Sequence, residues 1–192
     1  MTRLVLALAP ALLLGGCISF GGKPPKLLMA LSTTSAVPAN ASRQASATNT
    51  ILVQTPTAPV TIMTPRIPVY DGATSLAYVA DAAWNEPPAR AFQRILSETV
   101  TAKTDRVVLD PRQFGPTVAL RLSGQLQRFG IDARSSEAVV VFDAQLVRDS
   151  GAIETRRFES RVSVGAIAGA RAGNALNRAA NDIAGQVADW VK

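Results

Sequence analysis

Histidine is absent from the 192 residues of this sequence, and cysteine occurs once, as Cys17. Without imidazole, neither Ser-His-Asp nor Cys-His catalysis is available, and metal sites lose their usual nitrogen ligands. The nearest acidic pairs are Asp105 with Asp110 and Asp143 with Asp149, which we interpret as solvated residues at strand ends and turns. The glycines lack the Lys-Ser/Thr ending of a phosphate-binding loop. We therefore expect no enzyme activity, no catalytic residue, no metal and no cofactor.

A hydrophobic run long enough to cross a membrane is also missing. The apolar stretch at residues 4–14 is about half of the roughly 20 residues that a transmembrane helix needs. It follows one positive charge, Arg3, and is followed by the small residues Gly15 and Gly16. This combination is typical of a signal peptide, which we place at residues 1–16.

The signal peptide leads into Leu14-Gly15-Gly16-Cys17, which resembles the bacterial lipobox, where the thiol receives diacylglycerol before cleavage. Cys17 is therefore the predicted lipidation site and the first residue of the mature chain. Several acyl chains on one residue anchor a protein stably to a membrane. The alternative, a buried core cysteine after an ordinary secretory signal, is disfavoured because Cys17 stands at the lipobox spacing from the apolar run. Once this thiol is acylated, no disulfide can form, so the fold depends on packing.

Basic residues outnumber acidic ones by 19 to 14 once residues 1–16 are removed. Most of the excess is arginine between residues 121 and 178. Such a surface would suit anionic lipid headgroups or an acidic partner. The alternative, a solvated face without a ligand, is favoured because no basic run exceeds the Arg156-Arg157 pair. Export excludes nucleic acid as a partner.

Composition divides the mature chain into a tether and one domain. Residues 17–25 hold the acylated cysteine and a flexible tether rich in glycine and proline, and residues 26–192 form a single domain. Within the domain, residues 33–49 have hardly a large apolar side chain and are predicted to form a flexible surface loop. Short strands or extended pieces are predicted at residues 26–32, 50–54, 61–63, 66–70, 76–79 and 107–109.

Three longer strands are predicted from alternating hydrophobicity, at residues 117–129, 137–148 and 153–164, with a tight turn at 149–151. In the first strand, one face is predicted to carry Val118, Leu120, Leu122, Gly124, Leu126 and Arg128. These strands form the main part of an antiparallel, one-sided sheet.

Two helices are predicted from apolar residues at a spacing of 3.6. The first starts at Pro87-Pro88 and runs to about Ala102, with Trp84 packing against its start rather than anchoring a partner. The second takes up the larger part of residues 165–192. The apolar stripe of the first helix comprises Phe92, Ile95, Leu96 and Val100, and that of the second comprises Leu176, Ala180, Ile183, Val187 and Trp190 or Val191.

Gly165, Gly169 and Gly173 recur every fourth residue around the start of the second helix. Tight packing on the sheet is favoured over a membrane dimerisation face, because Arg171 lies within the stripe and its flanks are polar. The predicted fold class is α+β: an antiparallel β-sheet meander packed against two α-helices, after a lipobox signal peptide and a flexible tether.

These features occur in a recognisable order along the chain: a lipobox, a short strand, Trp84-Asn85-Glu86-Pro87-Pro88 opening a helix with Phe92-Gln93-Arg94-Ile95-Leu96, then Leu120-Arg121-Leu122-Ser123-Gly124-Gln125-Leu126 with Phe129, and a closing Trp190-Val191. The order resembles the ABC-type transport auxiliary lipoprotein family, which includes the lipoprotein component of the paraquat-inducible Pqi system. The first strand departs from the family pattern: Lys26-Leu27-Leu28-Met29 stands where members usually carry tyrosines.

The resemblance implies a periplasmic accessory of an ABC transporter that has an MCE (mammalian cell entry) domain protein as its substrate-binding component. Such a protein would bind MCE and ABC subunits and assist lipid transport between the inner and outer membranes. Ile18 stands where an Asp commonly signals inner-membrane retention, so outer-membrane residence is expected. Two alternatives stay open: a structural or assembly lipoprotein of another outer-membrane complex, and a direct lipid carrier with an enclosed cavity. Association between copies of the chain also stays open.

Overall fold

A computed structural model describes residues 25–110 and 118–192 of the chain. The described part contains eight strands, two helices and one 3-10 turn. The strands are β1 (Leu27–Met29), β2 (Thr50–Val53), β3 (Arg66–Asp71), β4 (Ser75–Trp84), β5 (Val107–Leu109), β6 (Leu120–Asp132), β7 (Glu137–Arg148) and β8 (Ile153–Ser163). The helices are α1 (Pro88–Lys103) and α2 (Gly169–Trp190), and the 3-10 turn is Val60–Ile62. The predicted α+β class with two helices is confirmed.

All eight strands belong to one sheet, and the sheet is mixed. The predicted antiparallel meander is present as β6–β7–β8, and β3 and β4 form a second antiparallel pair. The short strands join in parallel: β1 to β4, β2 to β5, and both β2 and β3 to β6. Hydrophobic alternation shows which face of a strand is buried but not which strand lies beside it, so the parallel pairs were not predicted.

One edge of β6 pairs with β7, and the chain from β2 to β3 runs alongside the other edge. β2 pairs with the start of β6, an isolated bridge joins Thr57 to Gln125, and β3 pairs with the end of β6. Between the bridge and β3 lie Pro59 and Pro65, which have no N–H to donate to a ladder. The chain forms the 3-10 turn there. The prediction of an extended piece at residues 61–63 was therefore wrong.

A β-bulge at Gln127 changes which side chains of β6 face the core. Leu126 pairs with Phe142, but Arg128 pairs with the next residue of β7, Val141, so one residue of β6 is left over. After the bulge, Phe129 takes the buried position. The prediction that Arg128 shares a face with Leu126 was therefore wrong. The prediction that Leu120, Leu122 and Leu126 share the buried face was correct.

Gly124 occupies a position in β6 that other residues cannot take without strain. Its φ is +155°, and a Cβ there would collide with the carbonyl oxygen of Asp143 and stand 2.7 Å from the ring of Phe142. Only glycine fits this close approach of two strands.

The two helices cover one face of the sheet and bury the predicted apolar stripes. Four residues of α1 are buried: Phe92, Ile95, Leu96 and Val100. Five from the C-terminal part of the chain are buried with them: Leu176, Ala180, Ile183, Val187 and Val191. Phe92 meets Phe142 edge to face at 5.3 Å. Each large apolar side chain fully buried in this way stabilises the fold by roughly 1.5–3 kcal/mol.

Trp84 and the glycines of α2 are part of this packing. Trp84 is 2% exposed and meets Phe129 edge on at 5.9 Å, which confirms the core interpretation. A Cβ on Gly169 would lie 2.6 Å from the Cβ of Ala82, and one on Gly173 would collide with Met29. Both glycines therefore allow α2 to approach β1 and β4 closely, as predicted. Gly165 has no neighbour within 4 Å of such a Cβ.

Residues 33–49 contain no helix or strand, in agreement with the predicted loop, and they are bonded to both helices. The N–H of Thr34 donates to Oδ1 of Asn181 at 2.7 Å, and the hydroxyls of Thr33 and Thr99 lie 3.5 Å apart. Further on, Arg43 donates to the carbonyl oxygen of Thr104 at 2.5 Å. The loop thus leads from β1 along α1 and α2 to their C-terminal ends.

Gly124→Ala is expected to destabilise the domain by roughly 1–3 kcal/mol, because the added methyl meets backbone of β7 that cannot move aside. The matched control is Gly185→Ala in α2, where a Cβ would meet only the flexible Nζ of Lys103 at 3.1 Å. This control should stabilise the helix by up to about 1 kcal/mol. Urea unfolding of both variants measures the difference. Equal effects of the two substitutions would contradict the packing described for β6.

Candidate functional site

The predicted lipidation site, Cys17, lies outside the described residues. The structure begins at Pro25, the eighth residue after Cys17, and β1 starts two residues later. The part of the chain that can be described is therefore the domain that the anchor would carry. Within residues 25–110 and 118–192, no helix has the length and hydropathy needed to span a membrane.

The sheet face opposite the helices is polar and contains a regular set of ion pairs. We call it the open face, and it includes Arg121, Ser123, Gln125, Gln127, Asp143, Gln145, Arg157, Glu159 and Arg161. Arg157 binds Asp143 with two hydrogen bonds, Nε to Oδ1 at 2.6 Å and an Nη to Oδ2 at 2.7 Å. Gln127 donates to the same carboxylate at 3.0 Å. The open face is therefore ordered by bonds between neighbouring strands.

Asp143 differs from its predicted setting. It lies in the middle of β7, opposite Arg157, and not at a strand end or turn. The hydrogen bonds from Arg157 are the main cause that lowers the pKa of Asp143 below its ordinary value, and Gln127 adds to this. The carboxylate is thus held in its charged form by a hydrogen-bonded ion pair between β7 and β8.

A second cluster lies where β3 meets β6. The guanidinium of Arg128 lies over the ring of Tyr70, 4.5 Å from its centroid, and binds Asp132 at 2.9 Å. Burial raises the pKa of the Tyr70 hydroxyl, while a hydrogen bond with Thr61 acts in the opposite direction. The bulge at Gln127 turns Arg128 towards this ring. Sequence reasoning missed the cluster because Tyr70 and Arg128 are far apart in the chain and neither belongs to a motif.

A cavity of about 500 Å³ opens where both helices end. Its lining includes Arg43, Lys103, Asp105, Arg106 and Lys192. Arg43 donates to the carbonyls of Thr104 and Arg106, and Arg106 donates to those of Val191 and Thr48. Cations placed on the last carbonyls of helices balance the negative ends of the helix dipoles. This basic cavity is therefore explained by the stability of the two helix ends.

The described residues hold no group of three or more His, Cys, Asp or Glu side chains that could bind a metal ion. The described surface carries a hydrogen-bonded polar face, a stacked arginine and tyrosine, and a few exposed apolar side chains. These features suit the binding of another macromolecule.

Asp143→Asn is expected to lower stability slightly at neutral pH and to have less effect as the solution becomes acidic. The folded-state pKa of Asp143 lies below its unfolded value, so its contribution is present above the unfolded pKa and is lost as pH falls through the folded pKa. The effect is small because both partners are partly exposed. Urea unfolding between pH 7 and pH 3, with Arg157→Gln and the double variant, measures the coupling. An undiminished effect of Asp143→Asn in the Arg157→Gln background would contradict this pairing.

Comparisons of structure place the fold among known ones. A protein described only as uncharacterized superposes with a TM-score of 0.71 at 12% identity, covering 88% of this chain and all of the other. A protein from Xanthomonas campestris of family DUF330 superposes with a TM-score of 0.69 at 20% identity, covering 85% of this chain and 94% of the other. PelC, a dodecamer from Paraburkholderia phytofirmans, has a TM-score of 0.44 at 12% identity, with coverage of 77% and 92%.

Comparison of sequence identifies the family. A search among curated proteins found no matching sequence. The family model described as the ABC-type transport auxiliary lipoprotein component matches residues 30–188, which include β2–β8, α1 and nearly all of α2. The chain therefore belongs to the family of ABC-type transport auxiliary lipoprotein components, as its pattern of features predicted.

Proposed function

We propose that this protein is a lipid-anchored, periplasmic accessory of an MCE-type ABC transporter, and that it assists lipid transport between the inner and outer membranes by binding the MCE-domain protein and ABC subunits. It performs no chemistry itself. The observation that carries the proposal is the family match, which spans residues 30–188 and assigns the chain to an ABC transport system.

The anchor is the second part of the proposal. Acylation of Cys17 would hold the domain on a membrane through a segment of only seven residues between Cys17 and Pro25. Tethering of this kind raises the effective concentration of a partner near the same membrane, to the millimolar range for a short flexible linker. Ile18 after the cysteine favours the outer membrane.

The open face supports a binding role. Its side chains are fixed by hydrogen bonds across β6, β7 and β8, so a partner would not have to order them on binding. By contrast, the cavity at the helix ends is lined by charged side chains. Those walls do not suit acyl chains, so we favour partner binding over direct lipid carriage.

The proposal is tested by affinity purification of the acylated protein from detergent-solubilised envelopes, followed by mass spectrometry. We expect an MCE-domain protein and its ABC subunits in the eluate. The matched control is Cys17→Ser with residues 1–16 replaced by an ordinary cleavable secretory signal, so that no apolar leader is retained. This variant should carry no acyl chain, leave the membrane fraction and recover less of the partner because the tethering effect is lost.

Two results would contradict the proposal. Recovery of outer-membrane assembly components, with MCE proteins present in the lysate and absent from the eluate, would favour the assembly lipoprotein instead. Retention of the Cys17→Ser variant in the membrane fraction to the same extent as the parent protein would contradict anchoring through Cys17.

A further inference from the structure

Exposed apolar side chains gather where the chain arrives from Cys17. In β1, Leu28 is 66% exposed and Leu27 is 39% exposed, and Ile167, just before α2, is also 39% exposed. We call these three residues the tether-side patch. Isolated exposed leucines are common on protein surfaces, whereas a group of exposed apolar side chains often marks a binding surface. These three lie near the N-terminal end of the described domain.

The register of β1 and the packing of α2 place Leu27 and Ile167 at the same edge of the sheet, and Leu28 lies on that edge strand as well. Leu27 pairs with Ala82 of β4, and Gly169 packs against the same Ala82. Ile167 precedes Gly169 by two residues, so the chain reaches this edge of the sheet just after it. Leu28 follows on the other face of the edge strand, because successive side chains of a strand point to opposite faces.

The charges around the patch favour an anionic surface. Lys26 precedes β1 and Arg171 lies in the first turn of α2, and both are exposed. Asp81 is the acidic residue beside them, with its Oδ1 3.1 Å from the Cβ position of Gly169. The local balance is therefore positive. Basic side chains next to apolar ones are typical of protein surfaces that bind anionic bilayers.

The length of the tether limits which surfaces can reach the membrane. Fully extended, the eight steps from Cys17 to Pro25 span at most about 29 Å. A 22-residue helix such as α2 is about 33 Å long by itself. Pro25, and with it the start of β1, therefore stays within about 29 Å of the bilayer surface, which is less than the length of α2.

We propose that the tether-side patch docks on the surface of the membrane that holds the acyl chains, with anionic headgroups as its ligand. This rests on the proposed function, since it requires acylated Cys17. The acyl chains supply the attachment, and the patch fixes the orientation of the domain. The β7–β8 turn and the C-terminal ends of α1 and α2 then point away from the membrane, towards a partner.

The test uses the acylated full chain in vesicles of phosphatidylethanolamine and phosphatidylglycerol. Cys17 is the only cysteine and its sulfur is blocked by acylation, so Leu28→Cys can be labelled alone with an environment-sensitive fluorophore. The matched control is Ile153→Cys. Ile153 is 60% exposed and lies in the β7–β8 hairpin at the opposite end of the sheet, next to Val147 and Arg121.

We expect the label at residue 28 to shift its emission to shorter wavelength in vesicles and to be quenched by lipids that carry a quencher near the headgroup, with the label at 153 unchanged. Vesicles of neutral lipid alone should give a weaker response. Equal responses at 28 and 153 would overturn the docking. A shift at residue 28 already present in the unacylated Cys17→Ser chain, in buffer without lipid or detergent, would also overturn it, because that shift would come from association of two copies.

Flotation with the vesicles separates the two proposals. If both labelled variants float but their labels respond alike, anchoring stands and docking fails. If neither variant floats, anchoring through Cys17 fails, and the docking that depends on it fails as well.

Discussion

The domain depends on the pairing of β6 along both of its edges. One edge carries β7 over the whole length of the strand, and the other carries β2, the Thr57 bridge and β3 in succession. β2 also pairs with β5, β3 pairs with β4, and β4 pairs with β1. Each strand of the described sheet is therefore joined to β6 directly or through one or two neighbours. A strand that pairs along both edges needs an unbroken backbone ladder. In the pairing of β6 with β7, the ladder is shifted once, by the bulge at Gln127.

The two faces of this sheet then take different roles. One face is closed by α1 and α2, whose apolar stripes pack against the buried side chains of the strands. The other face is kept polar by pairs such as Arg157 with Asp143, which prevent a broad apolar surface from being exposed. Besides the outer sides of α1 and α2, the described domain thus exposes the open face and the ends of the sheet. The tether-side patch occupies one end, and the helix C-termini lie at the other.

The sequence predicted those features that are set by local pattern. The helices α1 and α2 and the strand β7 followed from hydrophobic periodicity, and the close packing of Gly169 followed from its spacing. Pairing between distant segments could not be predicted, because the residue types at 50–53 do not indicate that this segment pairs in parallel with residues 120–122. The bulge left a weak signal, since the spacing of three from Leu126 to Phe129 breaks the alternation. The contact of Arg128 with the Tyr70 ring left no signal in the sequence, because it exists only after the bulge and the parallel pairing have formed.

Because β6 pairs along both of its edges, we expect the two halves of the described sheet to behave as one rigid body. Amide hydrogen exchange measures this most directly. The Gln54 N–H donates to Leu122, the Leu126 N–H donates to Thr57, and the Ala133 N–H donates to Tyr70. We predict that all three of these amides, together with those of β6 paired to β7, exchange with the free energy of global unfolding. Exchange of the β2 side and the β3 side through separate openings of clearly different free energy would contradict it.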